Sequence, residues 1–428
     1  MSNYLTDDTK AIILLCGFFG KDSSTKPLSQ GDYNKLVDWL ISSGMRPKDL
    51  LQQENIDPAA KGSGIYQQRL EALLGRGVQL GFAVEEWQRN GIWIISRSDT
   101  DYPTRYKNHL GKQAPPLLFG VGDRSLLTGG GLAIIGSRNV DEIGGNFTRE
   151  VGALCAQNRM PVVSGGARGV DQFSMTAALD AGGMTIGVLA DSLLKKSLER
   201  TARKAIARGR LLLISACHPN ARFTVGTAMG RNKLIYAMAD YGLVVSAEHK
   251  KGGTWAGADE ELKREHSIPV FVRQGNDVPL GNSKLLGLGA IAWPDKVDHQ
   301  NLRGQLTELS SQCAQKSTQK NMSLLDFQER QKEPAKELPK AESIELTESS
   351  NVVEDTAAKH SVTTVYETVL PLILEKLESP TTVDELISSL DVVKTQLNVW
   401  LKKALEEKRV VKLTRPVKYQ RISSKEQT

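Results

Sequence analysis

The chain has 428 residues, 55 of them Lys or Arg against 49 Asp or Glu, for a net charge of +6, and 40% are hydrophobic. This is the composition of an ordinary soluble protein with room for about two to three domains of ~100–200 residues each, leaning towards an anionic partner. Cys16, Cys155, Cys217 and Cys313 stand far apart with no CxxC pair, which argues against a zinc site and a disulfide framework and fits a reducing cytoplasm. The longest early apolar run, Ala11 to Phe19, follows Asp7 and Asp8. It lacks the basic start of a signal peptide and the ~20 apolar residues of a membrane span, so a cytoplasmic location is expected.

Residues 1–90 read as a small α-helical domain, with Leu36, Leu40 and Ile41 at helical spacing. From Gly91 the period changes. Short β-rich runs begin at Ile92, Leu132, Val162, Thr185, Leu211, Leu243 and Ile268, with helical patterning between most of them. Near-continuous apolar strands alternating with helices predict right-handed βαβ units and a sheet covered on both faces. The expected class over 91–300 is α/β: a Rossmann-like, doubly wound, mostly parallel sheet.

Residues 301–360 are rich in Glu, Lys, Ser and Gln and poor in aromatics, and read as a disordered linker. A winged-helix-like domain is expected over 361–428. Val365 to Leu377 forms its first helix, and Thr382 with Glu385 resembles a capping box for a second near 383–390. Asp391 caps a third, with Leu397, Val399, Leu401 and Leu405 buried, and two strands flank Pro416.

Open α/β sheets bind ligands at the carboxyl ends of their strands. After the strand at 132–135, Gly136 permits a close backbone approach and Arg138 projects over it. After Val163 comes SGGARGVDQFSM, in which Ser164, Gly165, Gly166, Arg168 and Gly169 lead into a helix from about Val170. Asp171 there reads as a helix-capping or loop-fixing residue. Arg231, Asn232 and Lys233 are expected together near a helix N-terminus, and Gly252 and Gly253 open a further glycine-rich loop.

One such loop is often only a tight turn. The spacing is GGxxG rather than GxGxxG, and Asp191 is a poor candidate for the acid that holds a ribose. Three such loops, each with a cation, make phosphate binding the stronger reading. Leu194 to Gly209, read as one helix, adds Lys195, Lys196, Arg200, Arg203 and Lys204, either a solvated face or a stripe that tracks phosphates. No HExxH or GxSxG pattern occurs, and no residue is assigned to catalysis or to a metal. His218 reads as structural, and Trp255 as packing or a stacking surface for a base.

In this order the motifs resemble the DNA-processing protein A (DprA/Smf) family. The resemblance runs from about residue 91 to 294, through IIGSR, VSGGARGVD, AGGMTIGVL, GRNKLIYAMAD and KGGTWAGA. It implies a Rossmann-like domain that binds single-stranded DNA without chemistry or cofactor, protects the strand and helps to load a RecA-type recombinase during natural transformation. A homodimer or higher homo-oligomer is expected with it. The resemblance also implies that Arg138, Ser164, Gly165, Gly166, Arg168, Gly169, Asp171, Arg231, Asn232 and Lys233 line or shape a phosphate pocket.

The chain departs from the family at Met175, where a histidine is usual, at the stretch from Asp191 to Ser197, at Ala228 and at Lys233. It therefore reads as a divergent member, for which a role in defence against foreign DNA such as phage is a further possibility. Two alternatives stand beside this. GGTWAGADEE is close to the GGxGTxxE motif of phosphoribohydrolase-like enzymes, with Glu260 one residue further along. A nucleotide-sensing defence protein, its winged helix reading out the pocket, is the other.

Overall fold

Side-chain oxygens set the first helices. Thr6 accepts from the Thr9 N–H (3.2 Å) at the start of α1 (Asp7–Cys16), and Ser29 accepts from the Asp32 N–H (3.1 Å) at the start of α2 (Gln30–Ser42). Three more helices follow, α3 (Ile56–Ser63), α4 (Gln67–Leu74) and α5 (Gly77–Arg89). Leu36 and Leu40 are buried, as their spacing predicts, whereas Ile41 is exposed. The structure, a computed structural model, describes residues 5–19, 25–313, 315, 365–390, 394–407, 409–414 and 417–422. It divides into two units, 1–334 and 335–428.

The first unit continues with β1 (Trp93–Ser96), α6 (Thr104–Leu110), β2 (Leu117–Val121), β3 (Leu132–Gly136), α7 (Glu142–Gln157), β4 (Val162–Ser164) and α8 (Val170–Asp180). Next come β5 (Thr185–Leu189), α9 (Leu193–Leu198), α10 (Arg200–Ala207), β6 (Leu211–Ser215), α11 (Val225–Met238) and β7 (Tyr241–Ser246). Then α12 (Gly252–Leu262), β8 (Val270–Val272), α13 (Leu280–Gly287) and β9 (Ile291–Ala292) complete the sheet, and α14 (302–313) follows.

The nine strands lie in the order β1-β2-β6-β5-β4-β3-β7-β8-β9. All pairs from β6 to β9 are parallel, while β1–β2 and β2–β6 are antiparallel. The expected mostly parallel α/β sheet is therefore present, with an antiparallel edge. Strand residues alternate between two cores, as the period of two requires. Leu132, Ile134, Leu243 and Val245 pack on one face; Ala133, Ile135 and Val244 pack on the other.

Strand order reverses between β3 and β7, the point at which such sheets open a crevice. From β3 the chain steps outward through β4, β5 and β6, then α11 carries it back to β7 on the opposite side of β3. Asn282 secures the carboxyl ends beside this point. Fully buried, it donates to the Val245 and Arg273 carbonyls (both 3.0 Å) and accepts from the Ala247 N–H (2.9 Å).

Three expectations need correction in this unit. The segment read as one helix from Leu194 to Gly209 is two, because Glu199 takes an extended conformation (ψ 137°) between α9 and α10. The segment read as linker from 301 begins as α14, whose Leu302 and Leu306 are buried in the core of the first unit; residues 316–364 lie outside the described residues. Arg231, Asn232 and Lys233 sit within α11 rather than at its N-terminus, since Thr224 caps that helix.

The second unit comprises α15 (Val365–Lys376), α16 (Val383–Leu390), α17 (Lys394–Glu406) and the antiparallel hairpin of β10 (Val410–Thr414) and β11 (Val417–Arg421), the element order of a winged helix. The Thr382 N–H donates to Glu385 (2.8 Å) and the Glu385 N–H to Thr382 Oγ1 (3.3 Å), the expected capping box. Leu397 and Leu401 are buried, but Val399 is exposed, because it falls on the outward face of α17. Asp391 and Pro416 lie outside the described residues.

The account of Asn282 is testable. Asn282→Ala leaves two buried carbonyls and one buried N–H unpaired, which costs about 2–4 kcal/mol. A thermal melt of the variant should shift down by several degrees, and an unchanged melting temperature would remove Asn282 as the latch.

Candidate functional site

A cleft of about 630 Å³ opens at the carboxyl end of the sheet, walled by the loop after β3, the start of α8, the start of α11 and the loop from β7 into α12. It lies where the strand order reverses. Glycine allows the loops to pack this closely. Gly169 has φ +87°, and a Cβ there would stand 2.5 Å from the Ser137 carbonyl and 2.7 Å from that of Arg138. The Val170 N–H donates to the same Ser137 carbonyl (3.3 Å).

At the back of the cleft Arg231 and Asp171 form a buried ion pair, with Arg231 Nη1 3.7 Å from Asp171 Oδ2. They are 8% and 5% exposed. Asp171 fixes the glycine loop, because the Gly165 and Ala167 N–H groups donate to its Oδ2 at 3.2 and 3.3 Å. Arg231 reaches across that loop only because residue 165 has no side chain; a Cβ there would coincide with its guanidinium. Burial pushes the Asp171 carboxyl above its ordinary value, against the pull of Arg231. Burial likewise lowers the Arg231 guanidinium, opposed by Asp171. Arg231 Nε and Nη1 are buried donors without a hydrogen-bond partner among the described residues.

The rest of the lining adds positive potential and an apolar rim. α12 points its N-terminus into the cleft with Gly252, Gly253 and Thr254, and its first turn carries no acidic residue. Asn232 ties α11 to this turn by donating to the Gly253 carbonyl (2.8 Å), and Thr254 donates to the Gly136 carbonyl (3.1 Å). Lys250 and Lys251 are at the mouth. Arg138 lies over the Phe223 ring at 5.1 Å, and Phe223, Val225 and Met229 are the exposed apolar residues of the wall.

Of the residues expected from sequence, Arg138, Asp171, Arg231, Asn232, Gly252 and Gly253 line the cleft. Ser164, Gly165, Gly166 and Gly169 shape it from behind; the buried Ser164 hydroxyl donates to the Ile134 carbonyl (2.7 Å), and Gly166 takes φ +67°. Arg168 is exposed and hydrogen-bonded to Asn139. Lys233 is outside the lining, because its position on α11 directs it towards Glu260 and Arg264.

Lys195, Arg200, Arg203 and Lys204 have no ion-pair partner among the described residues, while Lys196 pairs with Glu199 at 3.1 Å. α9 is tied to the loop after β6 through the Ser192 and Leu194 N–H groups, which donate to Ala221 and Pro219. Lys250, Lys251, Val225 and Met229 were not singled out from sequence. For the two lysines the signal was their place before Gly252 and Gly253; for the wall residues there was none short of the fold.

Carboxylates are sparse here. Asp171 and Glu248 are the acidic residues of the lining. Glu260 pairs with Arg264 (3.0 Å), and Glu261, 1% exposed, accepts from the Ile268 N–H (2.9 Å) and lies 3.0 Å from His109 Nε2. Met175, at the position of the family's histidine, is a core residue against Gly187. His218 packs beside Trp87 and Phe119, and its Nδ1 accepts from the Asn220 N–H (3.1 Å).

Residues 93–324, more than half of the chain, match the model of the family described as DNA recombination-mediator protein A. Over 271 residues the chain is 25% identical to Protein Smf of Synechocystis, covering 57% of this chain and 67% of that protein. It is 28% identical over 169 residues to DNA processing protein DprA of Bacillus subtilis, covering 39% of this chain and 56% of that protein. Its fold is similar to the X-ray structure of DNA processing protein A from Streptococcus pneumoniae, with a TM-score of 0.53 at 20% identity over 68% of this chain and 95% of that one. The glycine-loop sheet described above, with its reversal between β3 and β7, is thus that of a known group, and the chain belongs to the DNA recombination-mediator protein A family.

Proposed function

We propose that this chain binds single-stranded DNA without sequence preference, by seating backbone phosphates in the cleft between β3 and β7, and presents the strand to a RecA-type recombinase. Arg231 carries the reading: a buried guanidinium in the cleft lining, two of whose donors lack hydrogen-bond partners among the described residues. A phosphate oxygen supplies an acceptor that the guanidinium lacks. The N-terminal turn of α12 adds backbone donors, and Arg138, Lys250 and Lys251 supply cations at the mouth.

Backbone recognition suits a mediator. A strand held by its phosphates keeps its base-pairing edges free for another protein to use. The apolar rim of Phe223, Val225 and Met229 offers stacking that any base accepts. Glu260, the carboxylate that the GGxGTxxE-like stretch offered for hydrolysis of a glycosidic bond, stands outside the lining, as does Glu261, which supports binding over that alternative.

Two measurements bear on this. Fluorescence anisotropy of labelled (dT)20 across a salt series should give a steep log–log dependence, reduced by roughly 0.7 for each phosphate contact removed in Arg138→Glu, Lys250→Glu and Lys251→Glu. A wild type with no salt-sensitive binding, or a triple variant with an unchanged slope, contradicts the phosphate cleft. Gly165→Ala should displace Arg231, destabilising the fold by about 1–3 kcal/mol in urea titration and weakening (dT)20 binding. A Gly165→Ala protein of wild-type stability and affinity would show that Arg231 does not depend on that gap.

A further inference from the structure

The loop after β6 walls a second depression. A groove of about 950 Å³ lies between α5, the residues that follow α1, and this loop. Phe18 and Phe82 line it and are 51% and 71% exposed. Trp87 and Phe119 form an edge-on aromatic pair within it, their ring centroids 5.0 Å apart. Two large aromatic side chains left uncovered beside a buried aromatic pair make a stacking surface that the fold itself does not use.

Groove and cleft are consecutive along one stretch of chain. Asn220, Ala221 and Arg222 line the groove, while Phe223 and Val225 line the cleft. Arg222 and Phe223 are adjacent in the chain, so the two depressions share this wall and a strand leaving the cleft over it enters the groove. The charges at the two places differ. The cleft lining sets Arg138, Arg231, Lys250 and Lys251 against Asp171 and Glu248; the groove lining sets Arg222 against Glu86. A phosphate is repelled by Glu86, whereas an uncharged, flat base is not.

We propose that the groove accepts bases of the same strand whose phosphates occupy the cleft, stacked on Phe18 and Phe82, so that the N-terminal helices extend the nucleic-acid path beyond the sheet. The proposal rests on the phosphate reading of the cleft. It gives α5 and the residues that follow α1 a contact with the strand, and makes the loop from Ala216 to Thr224 the ridge over which the strand turns.

The test uses the full chain and (dT)15 carrying a single 2-aminopurine placed at successive positions, read by quenching and by anisotropy over a salt series. In the wild type, quenching should be confined to positions on one side of the phosphate-bound segment. The Phe18→Ala, Phe82→Ala double variant should lose that quenching and bind about tenfold more weakly, with its salt slope unchanged because no phosphate contact is lost. Phe82→Tyr on the Phe18→Ala background should recover part of the affinity. Both side chains are exposed, so a matching thermal melt is expected and verifies folding.

If the wild type binds with salt sensitivity and the double variant binds and quenches equally, the groove takes something other than a base, such as a protein segment, and the proposal is overturned while the cleft stands. If the wild type shows no salt-sensitive binding, the phosphate reading itself fails and this proposal falls with it.

Discussion

The pairing of Arg231 with Asp171 behind the glycine loop is the constraint from which the cleft is built. Neither group is cheap to bury, and a charge pair repays its desolvation only when its remaining hydrogen-bonding positions are filled. Asp171 fills its own with the Gly165 and Ala167 N–H groups, and in doing so locks the loop that follows β4. Arg231 does not, and two of its donors stay without hydrogen-bond partners among the described residues. A satisfied carboxylate and an unsatisfied guanidinium, one behind the other, leave unused donor capacity at the cleft floor in a place from which water is largely excluded. There an anion interacts more strongly than it would at the surface.

The other features follow from fitting this pair into a parallel sheet. Gly165 is required because the guanidinium lies where its side chain would be, and Gly169 because the loops after β3 and β4 touch there. The reversal of strand order separates the loop after β3 from the loop after β7, and α12 turns its N-terminus into the gap. Asn232, next in sequence to Arg231, binds the first turn of α12, so α11 positions both the guanidinium and the dipole end. Asn282 holds the end of β7 from the other side.

Much of this was legible in the sequence because it depends on local rules. Short apolar runs located most strands, and the glycine-rich turns between strand and helix marked the end of the sheet at which the cleft opens. What was hidden depends on long-range geometry. Leu117–Val121 is buried throughout, as a central parallel strand would be, yet it pairs antiparallel on both sides. Adjacent residues on a helix point about 100° apart, so Arg231 and Asn232 face the cleft while Lys233 turns towards Glu260. The same rotation exposes Val399 between the buried Leu397 and Leu401. Glu199 breaks a basic segment with no glycine or proline to announce it, and Leu302 and Leu306 bury themselves in a stretch whose composition reads as linker.

The most direct measurement concerns the floor of the cleft itself. In a 15N-labelled protein the buried Arg231 side-chain Nε–H should give a resolved resonance, assignable by its loss in Arg231→Lys. On titration with unlabelled (dT)6 that resonance should shift as the orphan donor acquires a phosphate acceptor, and the shift should reverse as salt is raised. A resonance that stays in place while the oligonucleotide binds elsewhere would contradict the account.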